Sequence, residues 1–314
     1  MNRISRIWFL VGLAGLMMLV GQSEVRAAKD SAPAPKPARK KVIAQNPYLG
    51  AIVVDNATGK VLFEDKADAE GYPASVLKLM DLLIVLEKIE QKQLTLQDPV
   101  IVSAKASHIG GSRVWLAEKE TFPVDDMLYA LMVQSANDVA VALAEKLAGS
   151  TDAFVELMNK RAQELGMTRT VFHSVHGLPP GAGQEHDVTT ARDFALLSRE
   201  LLKHKDTLRY TSTRERPFRP DDKKHLVMMR NHDHLLGQVE GVDGLKTGYF
   251  TEAGYSIALT AERKGQRVIV IVLGSVDRKV RDAKAAELLA KGFLALPAPS
   301  SPSPSPAKTP GPAK

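Results

Sequence analysis

Apolar positions along this chain begin as short runs that suit strands, continue at helical spacing, and return to short runs near the end. Ala51-Ile52-Val53-Val54-Asp55 and Lys60-Val61-Leu62-Phe63 flank Asn56-Ala57-Thr58-Gly59, a turn composition, so 50–64 is expected to form a hairpin. Between 76 and 91, Leu79, Leu82, Leu83 and Leu86 recur at helical spacing and predict one apolar helix face, with Pro73 just ahead of it. Further helical patterns cover about 125–134, 138–148, 152–165 and 189–203, with Asp152 and Thr189 as plausible caps. Gly254 to Ala261 and Arg267 to Gly274 predict a second hairpin around Lys264-Gly265, and Asp277 to Phe293 a closing helix. Strands at both ends with helices between predict an α+β domain. Its antiparallel sheet is flanked by helices and carries a helical insert, and its first and last segments are neighbours. There is no internal repeat.

The two ends do not share these patterns. Arg3 and Arg6 precede Ile7 to Gly21, a run of 15 apolar residues and glycines, shorter than the ~20 that span a bilayer as a helix. Polar Gln22-Ser23-Glu24 and then Val25-Arg26-Ala27 follow, so 1–27 is expected to be a secretory signal peptide cut after Ala27. An uncleaved N-terminal anchor is the alternative, and either would export the body. Residues 28–44 are rich in Ala, Pro and Lys and suit a tether, 45–296 the folded body, and 297–314 a disordered Pro/Ser-rich tail.

Composition narrows the chemistry. The chain has 314 residues, 44% hydrophobic and 25% charged, a globular balance. A net charge of +6 invites a nucleic-acid partner. However, 1–27 carries +2, 28–41 carries +4 and 297–314 carries +2, which leaves −2 for 42–296. The body therefore lacks the basic surface that binding to nucleic acid needs. The tether's Lys/Arg cluster suits a weak electrostatic hold on anionic envelope polymers or lipid headgroups. There is no cysteine, which excludes disulfides, thiol catalysis, Cys-ligated metals and a lipid-modified N-terminal Cys.

Three motifs carry candidate chemistry. In Ser75-Val76-Leu77-Lys78 a spacing of three puts Ser75 and Lys78 on one helix face. A serine is a poor nucleophile unless a base takes its proton. A lysine can be that base where desolvation and neighbouring cations lower its pKa. Taken alone, the motif is weak and better suits a capping Ser and a surface Lys. Ser135-Ala136-Asn137 follows 60 residues after Ser75, at a helix–helix junction, and alone suits a loop Ser with an N-cap Asn. Lys246-Thr247-Gly248 follows 111 residues later, at the start of the second strand region. A cation and a hydroxyl beside Gly248, which leaves the backbone open to close approach, suit a carboxylate lying along a strand edge.

In this order, spacing and placement the three motifs resemble those of the serine penicillin-binding proteins and β-lactamases. The resemblance is closer to the low-molecular-mass D-alanyl-D-alanine carboxypeptidases. It is carried by Pro73–Met80, Leu131–Leu147, Leu165-Gly166-Met167, Gly177-Leu178-Pro179, Thr189–Asp193 and Gly241–Tyr255, and it covers about 45–296. It implies a β-lactamase/transpeptidase-like fold that works without metal or cofactor on peptidoglycan stem peptides, with β-lactams as covalent inhibitors. It implies Ser75 as nucleophile, Lys78 as proton acceptor and Ser135 as proton relay to the leaving amine. Asn137 would bind the substrate backbone, Lys246 supply positive potential and Thr247 bind the terminal carboxylate. Gly248 lies beside them, and the backbone N–H groups of Ser75 and Tyr249 would form the oxyanion hole. Arg281 matches a position that assists carboxylate binding, with a solvated helix Arg as the equal alternative. Leu77 departs from the Thr common before the motif lysine and is expected to point off the catalytic face. After Phe293 there is no room for the additional β-domain and amphipathic anchor common in these carboxypeptidases, a feature of the shorter endopeptidase-type relatives. Ser135-Ala136-Asn137-Asp138 favours the carboxypeptidase side.

Other readings compete. A class A β-lactamase needs Glu-x-x-Leu-Asn, and the nearest candidate, Glu156-Leu157-Met158-Asn159, has the wrong internal spacing. A zinc peptidase could draw on His173, His176, His186-Asp187 and His232-Asp233-His234, but no His-Glu-x-x-His occurs. A non-catalytic wall-binding module would not need the intact motif set.

Overall fold

The structure is a computed structural model and describes residues 42–297. The expected signal peptide, and most of the stretches expected to form a tether and a tail, lie outside the described residues. The elements in chain order are β1 (Gly50–Asp55), β2 (Val61–Asp65), α1 (Lys78–Glu90), β3 (Pro99–Ile101), α2 (Ala104–His108), β4 (Thr121–Pro123), α3 (Val124–Val133), α4 (Asn137–Ala148), α5 (Thr151–Glu164), α6 (Ala191–Leu201), α7 (Thr207–Thr211), β5 (Glu215–Phe218), β6 (Val227–Arg230), β7 (Val242–Phe250), β8 (Gly254–Arg263), β9 (Gln266–Ser275) and α8 (Arg278–Ala295).

Five strands form one antiparallel sheet in the order β2-β1-β9-β8-β7, so the first and last strand regions meet where β1 pairs with β9. Ile52 and Val54 of β1 and Ile269 and Ile271 of β9 join the apolar cluster around α1. Ala51, Val53, Val268, Val270 and Val272 face the other way, into the cluster under α8. Helices cover both faces, which is why these strands appear in the sequence as unbroken apolar runs. Gly292 lets α8 settle on the sheet, since a Cβ there would stand 2.7 Å from Val53 Cγ1 and 2.8 Å from Val268 Cγ1. The Asp277 carboxylate caps α8 by accepting from the N–H groups of Lys279 and Val280.

The expected hairpins and helices are present, with instructive differences. A helix with one apolar face was expected from Leu79, Leu82, Leu83 and Leu86, yet every residue from Lys78 to Leu86 is buried. The reason is that α1 packs against α3, α4, α5, α6 and β7, so that only its last turn, from Glu87 to Glu90, reaches the surface. Its α-helical turns begin at Lys78, and Ala74–Leu77 is a single 3-10 turn. Asp152 and Thr189 are not the caps. Ser150 accepts from Ala153 N and Thr190 from Asp193 N. The Thr189 hydroxyl is instead buried against that of Thr170, 2.8 Å away. The β3–β4 pair, the β5–β6 pair, α2 and α7 are too short to show a period.

Leu83 is fully buried in the cluster around α1. Leu83→Ala is expected to destabilise the fold by about 2–5 kcal/mol, read as a lower urea midpoint.

Candidate active site

The Ala74–Leu77 turn presents Ser75, and α1 begins at once with Lys78. The Lys78 side chain is fully buried, with Nζ 3.1 Å from Ser75 Oγ, and it donates to the His176 carbonyl at 2.7 Å. That carbonyl is delivered by the His176-Gly177 segment. Gly177 has φ +74°, and a Cβ there would collide with the Ala74 carbonyl. The Gly177-Leu178-Pro179 stretch thus has a structural task in holding the lysine. Leu77 points into the core cluster, away from the serine.

Ser135 sits between α3 and α4 with φ +59°, 2% exposed, its hydroxyl without a hydrogen-bond partner. Asn137 is the first residue of α4. Its backbone N–H donates to Ser112 O and its amide to Gly110 O, and its side-chain oxygen is buried without a donor. The next residue, Asp138, was quoted from the sequence only as part of the motif. Its carboxylate accepts from the N–H groups of Val114, Leu116 and Val139. It therefore pins the 110–116 loop to the second motif.

The third motif lies on β7, an edge of the sheet. Gly248 lies against the turn that carries Ser75: a Cβ there would stand 2.7 Å from Pro73 O and 2.9 Å from the backbone nitrogens of Ser75 and Val76. Lys246 is buried and donates to Thr247 O. Tyr249 is exposed and stacks on Tyr255, with ring centroids 4.0 Å apart.

A cleft of about 330 Å³ joins these pieces, lined by Ser75, Ser112, Ser135, His232, His234, Thr247, Gly248, Tyr249, Tyr255, Arg278 and Arg281. Lys78, Asn137 and Lys246 lie behind this lining. Arg281 is 2% exposed, in the first turn of α8, donating to Ser256 O and to the Asp282 carboxylate. The solvated alternative therefore does not apply to it. Ser112, His232, His234, Tyr255 and Arg278 were not selected from the sequence as binding residues. Only His232 and His234 had left a trace, as metal-capable residues.

Burial dominates the electrostatics. It lowers Lys78 to about 8, against the opposing pull of Asp81, Asp187 and Asp138. It also pushes Lys246 well below the usual lysine range, and the charge of Lys78 adds to this. Burial holds His232 at about 4, aided by Lys246, and raises Asp233 to about 6. The result is a cleft walled by arginines, with an amine beside a hydroxyl that can take its proton in the amine's neutral form.

The rival sets are not assembled this way. Glu156 is exposed on α5, outside the cleft lining, and the Asn159 side chain is tied to the backbone of Phe172. The Asp187 carboxylate is occupied by the N–H groups of His173 and Ser174 and by the Ser174 hydroxyl. Among the described residues, the donors close enough to share a metal ion are Glu87, Glu200 and His204, and Arg161 already bridges the two glutamates.

The family model described as D-alanyl-D-alanine carboxypeptidase matches residues 38–277. The chain belongs to this family. It is 34% identical over 243 residues to D-alanyl-D-alanine carboxypeptidase DacF of Bacillus subtilis, covering 77% of this chain and 61% of that one. It is 35% identical over 250 residues to DacC of Escherichia coli, covering 77% and 60%. The chain thus spans about six-tenths of the length of these curated relatives. Among solved structures, DacD from Francisella tularensis superposes with a TM-score of 0.72 at 27% identity, covering 85% of this chain and 75% of that one. Penicillin-Binding Protein D2 from Listeria monocytogenes, in its ampicillin-bound form, superposes with a TM-score of 0.70 at 33% identity, covering 79% and 97%. The antiparallel sheet flanked by helices is the fold of this family.

Asp138→Ala leaves the inward-turned amides of Val114 and Leu116 unpaired. The expected cost is about 1–3 kcal/mol of stability, with faster hydrogen exchange at those two amides as the local sign.

Proposed function

We propose that this protein is a serine-type D-Ala-D-Ala carboxypeptidase that trims peptidoglycan stem pentapeptides through an acyl-enzyme on Ser75 and is acylated by β-lactams. The observation that carries this reading is the Ser75 hydroxyl 3.1 Å from a fully buried lysine at the mouth of an arginine-walled cleft. Family membership and the ampicillin held by the Listeria relative support it.

In this reading neutral Lys78 takes the Ser75 proton as Oγ attacks the carbonyl between two D-Ala residues. The substrate lies along the free edge of β7 as an added strand, which the missing side chain at Gly248 permits. The oxyanion is held by the backbone N–H groups of Ser75 and Tyr249, the arrangement that contributes most in acyl transfer. Ser135, whose hydroxyl has no other partner, passes the proton to the leaving amine, and the free side-chain oxygen of Asn137 accepts from the substrate backbone. Thr247 and Arg281 bind the terminal carboxylate in the positive potential of Lys246. Water then releases the shortened peptide. A β-lactam forms the same ester and leaves slowly. Export into the cell envelope follows from the N-terminal apolar run, with the basic tether as a weak electrostatic hold. Among the described residues no helix is long and apolar enough to cross a membrane.

Incubation with a pentapeptide muropeptide and a crosslinked dimer, followed by mass analysis, is expected to show loss of D-Ala. Splitting of the dimer alone would favour a crosslink endopeptidase. Ser75→Ala is expected to lower turnover by about 10⁴-fold or more, and unchanged turnover would overturn the reading. Since only the unprotonated amine accepts a proton, acylation by a penicillin is expected to rise with pH through about 8 and to fall away below it.

A further inference from the structure

The residue three positions after Lys78 on α1 has no place in the reaction described above. Asp81 is 1% exposed, and neither of its carboxylate oxygens has a hydrogen-bond partner. From Leu79 to Leu86 it is the single polar residue among Leu, Met, Ile and Val. A carboxyl group in such surroundings is costly unless another group interacts with it. A spacing of three places it on the same helix face as Lys78. We propose that Asp81 sets the proton affinity of Lys78, and with it the pH range in which Ser75 is reactive.

Six groups act on or feel the charge of Lys78: Asp81 from α1, Asp138 from α4, Lys246 from β7, Asp187 and His176 from the segment between α5 and α6, and His232 from the segment between β6 and β7. Asp187 also faces Asp81. Of the three acids, Asp138 accepts from three backbone N–H groups. Asp187 accepts from two N–H groups and a hydroxyl. Their charges are compensated where they stand, and both have structural tasks. Asp81 has no such donors, so its interaction with Lys78 is not diluted. Burial pushes its carboxyl well above the usual range and pulls Lys78 down, so the two form a net-neutral pair that shares one proton. Two contacts of Lys78 Nζ, with Ser75 Oγ and with His176 O, suit an amine that accepts from the serine and donates to the carbonyl. Removing the carboxyl group leaves Lys78 beside fewer negative charges, and it then gives up its proton at lower pH.

The inference rests on the proposed reading of Ser75 and Lys78 as nucleophile and base. The test is the rate of acylation of the full chain by a fluorescent penicillin as a function of pH, for wild type and Asp81→Asn. The acidic limb of the profile is expected to move to lower pH by about one unit in the variant, a tenfold change in proton affinity. A limb that stays at its wild-type pH overturns the proposal, whether the rate is kept or falls evenly at every pH as a packing defect would make it. If Asp81→Asn does not fold, Asp81→Thr must show the same displacement, and an undisplaced limb there overturns the proposal too. A wild-type protein that is not acylated at all would refute the function proposed above, a result distinct from an unmoved limb.

Discussion

The structure depends on keeping one lysine out of water. Lys78 is fully buried beside Ser75, and desolvation lowers it from the usual lysine range to about 8. Nothing in the motif itself excludes water. That is done by the cluster around α1, which the sheet closes with Ile52, Val54, Ile269 and Ile271 and the helical insert with residues such as Leu128, Leu131 and Leu143. The all-round burial of α1 from Lys78 to Leu86 and the chemistry at its first residue are therefore one fact.

Burying cations so close together has to be offset. The charge of Lys78 depresses Lys246, and Arg281 adds to the effect. Asp233 lies against Lys246 and Arg281, while Asp282 binds Arg281 directly. The cleft is thus positive toward a ligand without an unrelieved cluster of cations behind it, the pattern expected where a substrate brings its own negative charge.

Two strained backbone positions lie at the same place. Ala74 has φ +48° and Ser135 φ +59°, both unfavourable for side chains with a Cβ. Each is held by contacts from elsewhere: Ala74 by the Gly177 backbone packed against its carbonyl, Ser135 by the helices on both sides and by the loop that Asp138 and Ser112 secure behind the motif. Strained residues persist where the surroundings over-determine them, and those are characteristically sites of reaction.

The hairpins and the main helices were legible in the sequence because each rests on local periodicity or on turn residues such as Asn56–Gly59, and the meeting of β1 with β9 because strands at both ends of a helical stretch suit one sheet. The three motifs were legible because their residue types and spacings survive without any knowledge of contacts. Local pattern could not show that α1 is buried on every side from Lys78 to Leu86, since burial depends on what four other helices and a strand place around it. Nor could it choose Ser150 and Thr190 over Asp152 and Thr189 as caps, because neighbouring residues all carry suitable oxygens and only the path of the backbone selects one. Ser112, Tyr255, Arg278 and the histidines of the cleft come from distant segments with no shared spacing. The sequence by itself determined which residues could react. The tertiary structure alone decided that Arg281 is enclosed beside them, that Asp81 has no hydrogen-bond donor, and that Lys78 is kept out of water. Each of those depends on solvent exclusion, a property of the packed whole and of no single segment.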